Sequence, residues 1–137
     1  MADYEAVFAL WRAGAPAIEI RPSDSLSEVA KRCLRDRDLF LVAECQGRLV
    51  GVVMGGWDGR RGWIHHLAVA PDARGQGVAQ ALVGALEDGM RAVGCLKVNL
   101  LVRQSDDAAR RLYDRLGYGE TPDMIVLGKE LAPAAGD

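Results

Sequence analysis

The sequence lacks the features that mark several specialised classes of protein. Its 17 lysines and arginines are outnumbered by 19 aspartates and glutamates, so the formal net charge is −2. Such a balance disfavours nucleic-acid binding, which needs a basic surface. No stretch approaches the roughly 18 apolar residues of a membrane span, and the N-terminus has no signal-peptide pattern. We therefore expect neither a nucleic-acid nor a membrane partner.

Cysteine and histidine are also scarce. The three cysteines, Cys33, Cys45 and Cys95, are odd in number and widely spaced, which fits neither a disulfide framework nor a Cys-x-x-Cys pair. Each lies in an apolar run, which predicts a small buried hydrophobe. The two histidines, His65 and His66, are too few for a histidine metal site. We predict no metal and a reducing, cytoplasmic setting.

What remains is an ordinary globular composition. The chain has 137 residues, of which 50% are hydrophobic and 26% charged, and domains commonly run to about 100–200 residues. We predict a single domain over residues 1–131. The Ala- and Pro-containing residues 132–137 are predicted to form a disordered tail.

The spacing of apolar residues predicts alternating helices and strands. Helices are expected over 3–13 and 26–36, the second opened by a Ser25–Glu28 capping box. Three apolar runs separated by short turns then predict an antiparallel meander. These runs are Leu39–Cys45, Leu49–Met54 and Trp63–Val69.

The second half of the chain continues the alternation. A helix is expected from Val78 to about Gly94, followed by a strand over Leu96–Val102 covered on both faces. A helix capped by Ser105 or Asp106 follows, and Met124–Leu127 is a last strand candidate. The fold class is therefore α/β (α+β), with a mixed sheet flanked by helices.

A glycine-rich loop between a predicted strand and a predicted helix carries the chemistry. The strand that ends at Val69 leads through Pro71 into Arg74-Gly75-Gln76-Gly77, and the helix starts directly afterwards. The first N–H groups of a helix are free, and the macrodipole adds partial positive charge there. Glycine lets a ligand approach the backbone, and Arg74 adds a full charge. The segment predicts a phosphate or pyrophosphate site.

Two common phosphate-binding motifs do not fit this loop. A P-loop needs Gly-Lys-Ser/Thr after its glycines, and this loop has no lysine. A dinucleotide fingerprint needs a third Gly or Ala where this chain has Gln80. A turn that merely joins strand to helix is the plainer interpretation, but Arg74 and the strand–loop–helix context favour an anion site.

This loop and a second motif together resemble one enzyme family. Residues 74–79, Arg-Gly-Gln-Gly-Val-Ala, resemble the Arg/Gln-x-x-Gly-x-Gly/Ala loop of the GNAT family of N-acetyltransferases. Residues 106–118 resemble its Asn-x-x-Ala-x-x-Leu-Tyr-x-x-x-Gly-Phe/Tyr helix, and residues 39–51 its central hairpin. The similarity covers about residues 25–131. Residues 53–62 also resemble a small bacterial branch close to the ribosomal-protein alanine acetyltransferases.

The resemblance implies acetyl-CoA as cosubstrate and a site for it. In this family the loop amides hold the pyrophosphate, and backbone groups of the preceding strand pair with the pantetheine arm and the acetyl oxygen. The residues implied to bind the cosubstrate are Leu67, Ala68, Val69, Arg74, Gly75, Gln76, Gly77, Val78, Ala79, Asp106 and Tyr113.

The departing thiolate of an acetyl transfer needs a proton. A phenol with a pKa near 10 can supply it without being ionised at neutral pH. The resemblance implies Tyr113 as this general acid, and packing at the edge of the core is the alternative. An Asp at position 106, where the family usually has Asn, brings a carboxylate towards an anionic cosubstrate.

The acceptor amine must lose a proton, and the base is less well defined. Histidine titrates in the useful range, and adjacent residues of a strand face opposite ways, so one of His65 and His66 is expected to line the pocket. His65, predicted to share a face with Trp63 and Leu67, is the candidate base. Two carboxylates and a water relay to solvent are rivals; the carboxylates are Glu44 and Asp58.

Several readings of function stay open. The leading one is direct acetyl transfer, in a ternary complex, to a primary amine of a small molecule, a protein N-terminus or a lysine. An acyl-enzyme is disfavoured because the cysteines are scattered, although Cys45 or Cys95 could meet His65 in space. The alternative from another class is a non-catalytic acyl-CoA-binding sensor or interaction domain.

The start of the chain departs from the family pattern. Members usually have a strand before the first helix, whereas here the helix begins almost at Met1. Ala17–Ile20 could supply a strand after that helix. An open sheet edge is usually covered, which favours a homodimer or a missing N-terminal segment.

Overall fold

The structure is a computed structural model that describes residues 3–14, 18 and 20–131. Two compact units divide between Leu101 and Val102. The prediction of one domain over 1–131 stays a prediction. The predicted tail, residues 132–137, lies outside the described residues, as do residues 17 and 19 of the candidate strand after the first helix.

The helices and strands follow the predicted order up to the fourth helix. The helices are α1 (Tyr4–Ala13), α2 (Leu26–Arg35), α3 (Val78–Ala92) and α4 (Asp107–Arg115). The strands are β1 (Phe40–Cys45), β2 (Arg48–Trp57), β3 (Gly62–Val69) and β4 (Val98–Leu100). Short 3-10 turns cover Pro22–Asp24, Arg37–Leu39 and Pro71–Ala73.

Within the described residues the four strands form one sheet in the order β1-β2-β3-β4. The first three are antiparallel neighbours, and β4 runs parallel to β3. The predicted meander and the mixed, mostly antiparallel sheet are therefore confirmed. Helices pack against both faces of this sheet. Successive residues of a strand point to opposite faces, so each strand can contact both layers of helices.

One face of β2 packs against α1 and α2, and the other packs against α3. Val50, Val52 and Met54 lie in a core cluster that includes Trp11 of α1 and Val29 of α2. On the opposite face, Gly51 and Gly55 leave room for α3. A Cβ added at Gly55 would lie 2.6 Å from Leu86 Cδ1 and 3.0 Å from the Leu39 carbonyl oxygen.

This close approach predicts opposite effects for two Gly→Ala changes. Gly55→Ala is expected to cost about 1–3 kcal/mol of stability, because the new methyl group overpacks the β2–α3 contact. Gly84→Ala, inside α3 with open space around the added Cβ among the described residues, should instead stabilise by about 0.5–1 kcal/mol. Urea unfolding measures both, and a stable Gly55→Ala protein would contradict the packing.

A β-bulge interrupts β3 at His65. Met54 of β2 pairs with His66, but the next residue, Gly55, pairs with Ile64, so His65 is one extra residue on β3. A bulge bends its strand and re-aims the side chains beside it. The sequence pattern, which assumes strict alternation, does not reveal this feature.

The predicted strand over Leu96–Val102 is wrong in its extent and its burial. Only Val98–Leu100 of it is a strand, and Leu96 and Leu101 are 93% and 65% exposed. In the described sheet the β3–β4 ladder ends at the pair Ile64–Leu100, directly before the bulge. The bulge of β3 at His65 therefore ends the pairing between β3 and β4, and a longer β4 would have no partner there.

The last predicted strand, Met124–Leu127, is also wrong. Residues 116–131, all described, form neither helix nor strand, and Ile125 and Leu127 are 82% and 86% exposed. An apolar run favours a strand only where a neighbouring strand and a covering layer exist, and the run itself cannot supply them.

Candidate functional site

The loop before α3 has the backbone that its glycines predict. Gly75 and Gly77 have φ angles of +78° and +81°, in the left-handed region that favours glycine. A Cβ added at either position would meet no described atom within 4 Å. The loop therefore presents an open backbone face on which a ligand can approach closely.

The start of α3 adds positive potential to this loop. Ala81 N–H donates to the Gly77 carbonyl at 3.0 Å, which leaves the N–H groups of Val78, Ala79 and Gln80 ahead of that first helical bond. Among the described residues, the first turn of α3 contains no acidic residue. Arg74 Nε donates to the Val69 carbonyl at 3.3 Å, which ties its guanidinium between strand and loop. The arrangement suits an anion such as a pyrophosphate.

An open groove of about 450 Å³ lies beside the loop. The end of the loop and the β1–β2 hairpin line it, and Glu44 and Cys45 contribute from the hairpin. Cys45 is exposed, so its prediction as a buried hydrophobe is wrong; it lies at the end of β1, where the strand meets solvent. Asp72, also in the groove, is paired with Arg48 at 3.0 Å.

The strand segment before the loop has a free edge. Leu67, Ala68 and Val69 follow the bulge, and in the described sheet β4 does not pair with them. Their backbone N–H and C=O groups on that side can therefore bind an extended ligand as a strand would. Their assignment to the cosubstrate stays a prediction.

The two histidines lie on the same face of the sheet, which corrects the expectation that they face opposite ways. His66 contacts Trp11 of α1, with ring centroids 5.0 Å apart. His65 Nε2 lies beside Arg32 of α2, and both would be within 3.1 Å of a Cβ added at Gly56. The bulge at His65 is the cause, because it inserts one residue into the alternation. Leu67, which pairs with Val53, therefore lies on the opposite face.

His65 is a neutral imidazole at pH 7. Desolvation by its surroundings and then the positive charge of Arg32 lower the pKa of His65 to about 4. Arg32 is itself desolvated, which lowers its pKa, and the Asp36 carboxylate 3.9 Å from Arg32 Nε opposes that shift. A base of such low pKa is unprotonated but weak, because general bases work best near the operating pH.

Asp24 is a charged residue of this region that the sequence analysis missed. It is 3% exposed, and its Oδ1 lies 3.1 Å from His66 Nε2 while its Oδ2 accepts the Arg21 N–H at 2.9 Å. Burial alone would raise the pKa of Asp24, but the hydrogen bonds from His66 and Arg21 outweigh it and hold the pKa below its ordinary value. No pattern in Pro22-Ser23-Asp24 reveals a buried carboxylate.

Asp58, one rival base, is committed to the β2–β3 turn. Its carboxylate accepts hydrogen bonds from the N–H groups of Arg60 and Arg61, both at 2.7 Å, and from Trp63 Nε1 at 3.2 Å. The backbone hydrogen bonds are the main cause of its lowered pKa. A carboxylate held in this way stabilises the turn and is poorly suited to accept a further proton.

An Asp58→Ala variant tests that reading. It should lower the midpoint of thermal unfolding, because the turn loses three acceptor contacts, while kcat stays within about twofold of wild type. Asp88→Ala, which removes an exposed carboxylate from α3, is the matched control and should leave the midpoint unchanged. A large loss of kcat in the folded Asp58→Ala protein would restore Asp58 as a candidate base.

The second unit contains the predicted acid. Tyr113 lies on α4, is 9% exposed and packs edge-on against Tyr118 with ring centroids 5.6 Å apart. Burial raises the pKa of Tyr113 to about 12, so the phenol keeps its proton at neutral pH. Asp106 caps α4 by accepting the Ala109 N–H at 3.0 Å, which gives that carboxylate a structural task.

Two negative findings apply to the part of the chain that the structure describes. It contains no group of three or more His, Cys, Asp or Glu side chains placed to hold a metal ion. It also contains no helix with the length and apolar character needed to cross a membrane.

The described chain is an α/β protein with a four-stranded mixed sheet and an open glycine-rich loop at the start of α3. The family model described as Acetyltransferase (GNAT) family matches residues 4–118. The chain belongs to the GNAT family of acetyltransferases. An acetyltransferase of Pectobacterium atrosepticum is 46% identical over 130 residues, which are 94% of this chain and 89% of that protein.

Solved structures agree in fold. A ribosomal-protein-alanine N-acetyltransferase from Brucella melitensis has a TM-score of 0.69 and 27% identity, with 94% of each chain covered. AAC(6')-Iy, in complex with the bisubstrate analogue CoA-S-monomethyl-acetylneamine, has a TM-score of 0.76 at 17% identity, with 94% of this chain and 92% of that chain covered. At that identity the second likeness shows the fold alone.

Proposed function

We propose that this acetyltransferase moves the acetyl group of acetyl-CoA directly to a primary amine within a ternary complex. The observation that carries the proposal is the open, left-handed loop at Gly75 and Gly77, which leads into the free N–H groups of α3. A solved structure of this fold binds an analogue in which coenzyme A is joined to an amine acceptor, which supports the pairing of these two substrates.

The residues proposed to hold acetyl-CoA fit its chemistry. Arg74 and the N–H groups of residues 75–79 suit the pyrophosphate, and the free edge of β3 at Leu67–Val69 suits an extended arm with amide groups. When bound, acetyl-CoA supplies the activated acyl group. The chain orients it, excludes water and moves two protons, one from the amine and one to the leaving sulfur.

Tyr113 is the proposed general acid. Its raised pKa, about 12, keeps the phenol protonated across the pH range in which amines lose their protons. His65 was the predicted base, and its neutral form at pH 7 allows that role, but with a pKa of about 4 it would drive proton removal only weakly.

Direct transfer is supported by the positions of Cys45 and Cys95, the two cysteines weighed as partners of His65. Cys95 Sγ donates to the Lys97 carbonyl at 3.2 Å and lies beside Gly62 on the α3 face of the sheet. His65 lies on the opposite face, so it does not meet Cys95. The exposed Cys45 lies at the far end of the hairpin, at the end of β1.

The acceptor is proposed only as a primary amine. The Brucella relative in fold is an enzyme for a ribosomal-protein alanine, and the bisubstrate analogue carries a small-molecule amine, so both acceptor classes occur on this fold. A cytoplasmic setting, which the composition favours, and a homodimer stay proposals.

Calorimetric titration with acetyl-CoA at low salt, followed by an amine panel in a free-thiol assay, tests the proposal. We expect acetyl-CoA to bind, and thiol release to require both acetyl-CoA and an amine. Initial rates at several concentrations of both substrates should give intersecting double-reciprocal lines, as a ternary complex requires. An absence of acetyl-CoA binding would refute the proposed function, and parallel lines would refute direct transfer.

A further inference from the structure

The α1/α2 face of the sheet contains a second histidine whose surroundings differ from those of His65. His66 lies on the same face, one residue after the bulge, and bonds to a carboxylate rather than lying beside a guanidinium. Its side chain is 16% exposed and that of Asp24 is 4% exposed. We propose that His66, oriented by Asp24, is the base that accepts the proton of the acceptor amine; this rests on the proposed function.

The hydrogen bond to Asp24 fixes which nitrogen of His66 can accept a proton. Asp24 is ionised at neutral pH, since its pKa is lowered, and an ionised carboxylate only accepts hydrogen bonds. Nε2, 3.1 Å from Asp24 Oδ1, must therefore carry the hydrogen of the neutral ring. Nδ1 is left with its lone pair and is the proton acceptor.

Asp24 also stabilises the product of that proton transfer. When Nδ1 takes a proton the ring becomes a cation, and a carboxylate in hydrogen-bond contact favours the cation. The carboxylate is itself held by the Arg21 N–H at 2.9 Å, and the Tyr4 hydroxyl donates to the Asp24 carbonyl at 3.0 Å. This buried, anchored group is a positioning residue that keeps the ring in one orientation.

The position of His66 on β3 places it beside the free strand edge. The β3–β4 ladder in the described sheet ends at Ile64, two residues before His66. The segment proposed for the acyl arm begins at Leu67, one residue after it. Apart from the two histidines themselves, the charged groups of this cluster are Asp24, Arg32 and Asp36, and of these only Asp24 bonds to His66 in the described contacts.

The proton and bond balance of the step is complete. The ammonium form of the acceptor gives one proton to His66 Nδ1, and its freed lone pair forms the new C–N bond to the acetyl carbonyl carbon. The C–S bond breaks, and the sulfur leaves with the electron pair and takes a proton from Tyr113. Of the two protons left on that nitrogen, one is lost to solvent and the other stays on the amide product, while solvent returns a proton to Tyr113 and His66 releases its proton to solvent.

His66→Gln is the decisive variant. The glutamine amide can donate to Asp24 as Nε2 does, but it cannot take up a proton, so the fold is kept and the base is lost. We expect kcat to fall about 10²-fold with the KM for acetyl-CoA unchanged. His65→Gln, the same change one residue earlier, should lower kcat by a smaller factor than His66→Gln does, because His65 is the weaker base.

Two measurements keep a structural role apart from a catalytic one. In the wild-type protein, ¹⁵N NMR of the imidazole rings should show neutral His66 protonated at Nε2, a readout that needs neither substrate. Calorimetry should show that His66→Gln binds acetyl-CoA as wild type does. An Nδ1–H ring in wild type, or a folded His66→Gln enzyme with wild-type kcat, would overturn the inference.

The same data separate this inference from the proposed function. A wild-type protein that binds no acetyl-CoA would refute the proposed function whatever the tautomer of His66. If wild type and His66→Gln are equally active, only the assignment of the base is refuted. His66 would then have the structural role of linking β3 to the turn at Asp24.

Discussion

The Arg74→Ala, Gly77→Asp double variant is expected to lose acetyl-CoA affinity by at least about 10²-fold. It removes a positive charge from the proposed anion site and adds a negative charge to it. The Asp carboxylate would lie where the helix N–H groups point, and would both occupy them and repel a pyrophosphate. The loss of Arg74 removes the guanidinium that Val69 holds beside the loop.

A matched control comes from the neighbouring turn. Gly59 also has a positive φ, +94°, and open space around an added Cβ among the described residues, and Arg60 follows it. The Gly59→Asp, Arg60→Ala variant therefore makes the same two replacements, with the same backbone strain and change of net charge. Calorimetry should give this control a wild-type Kd; equal losses in both variants would attribute the effect to net charge and not to the loop.

The open glycine-rich loop before α3 was predictable because its signal is local, and its role in phosphate binding stays a proposal. Glycine at positions 75 and 77 needs only its own backbone freedom, and both residues have a left-handed φ in the structure. The caps were predictable for the same reason: Ser25 accepts the Glu28 N–H and Asp106 accepts the Ala109 N–H. Glu28 itself pairs with Lys31, which the box pattern did not foresee.

The arrangement of His65, His66 and Asp24 was not predictable, because it depends on residues that are far apart in the chain. The bulge at His65 is a mismatch between β2 and β3, and alternation within one strand cannot reveal it. Asp24 is buried only because His66, 42 residues later, and the Arg21 N–H satisfy it. The same limit explains the error at Met124–Leu127, whose apolar side chains are exposed in the structure.

The two proposed parts of the site, the loop before α3 and the His66–Asp24 pair, depend on different kinds of structural feature. The proposed anion site before α3 depends on local features, namely the loop backbone and the neighbouring Arg74. The ring of His66 depends on the bulge, on Asp24 and on the packing of α1 beside it. A change that removes the bulge should therefore disturb proton transfer more than binding of the cosubstrate.

The Tyr113→Phe variant is expected to lower kcat by about 10²–10³-fold, which lies within the range typical of a general acid. The ring and its contact with Tyr118 are kept, and the hydroxyl proton is lost. Because burial raises the pKa of Tyr113 to about 12, wild type keeps this proton throughout the range of the assay. The affinity for acetyl-CoA should change little, so the loss should appear in kcat and not in KM.

Tyr118→Phe is the control for this experiment, because it removes a hydroxyl from the partner ring of the same pair. It should leave kcat within about threefold of wild type. A Tyr113→Phe enzyme with wild-type kcat would show that solvent protonates the departing thiolate. Tyr113 would then have only a packing role. If wild type binds acetyl-CoA but turns over no amine of the panel, the result would instead identify an acyl-CoA-binding domain. A pure acyl-CoA sensor has no proton transfer for Tyr113 to assist.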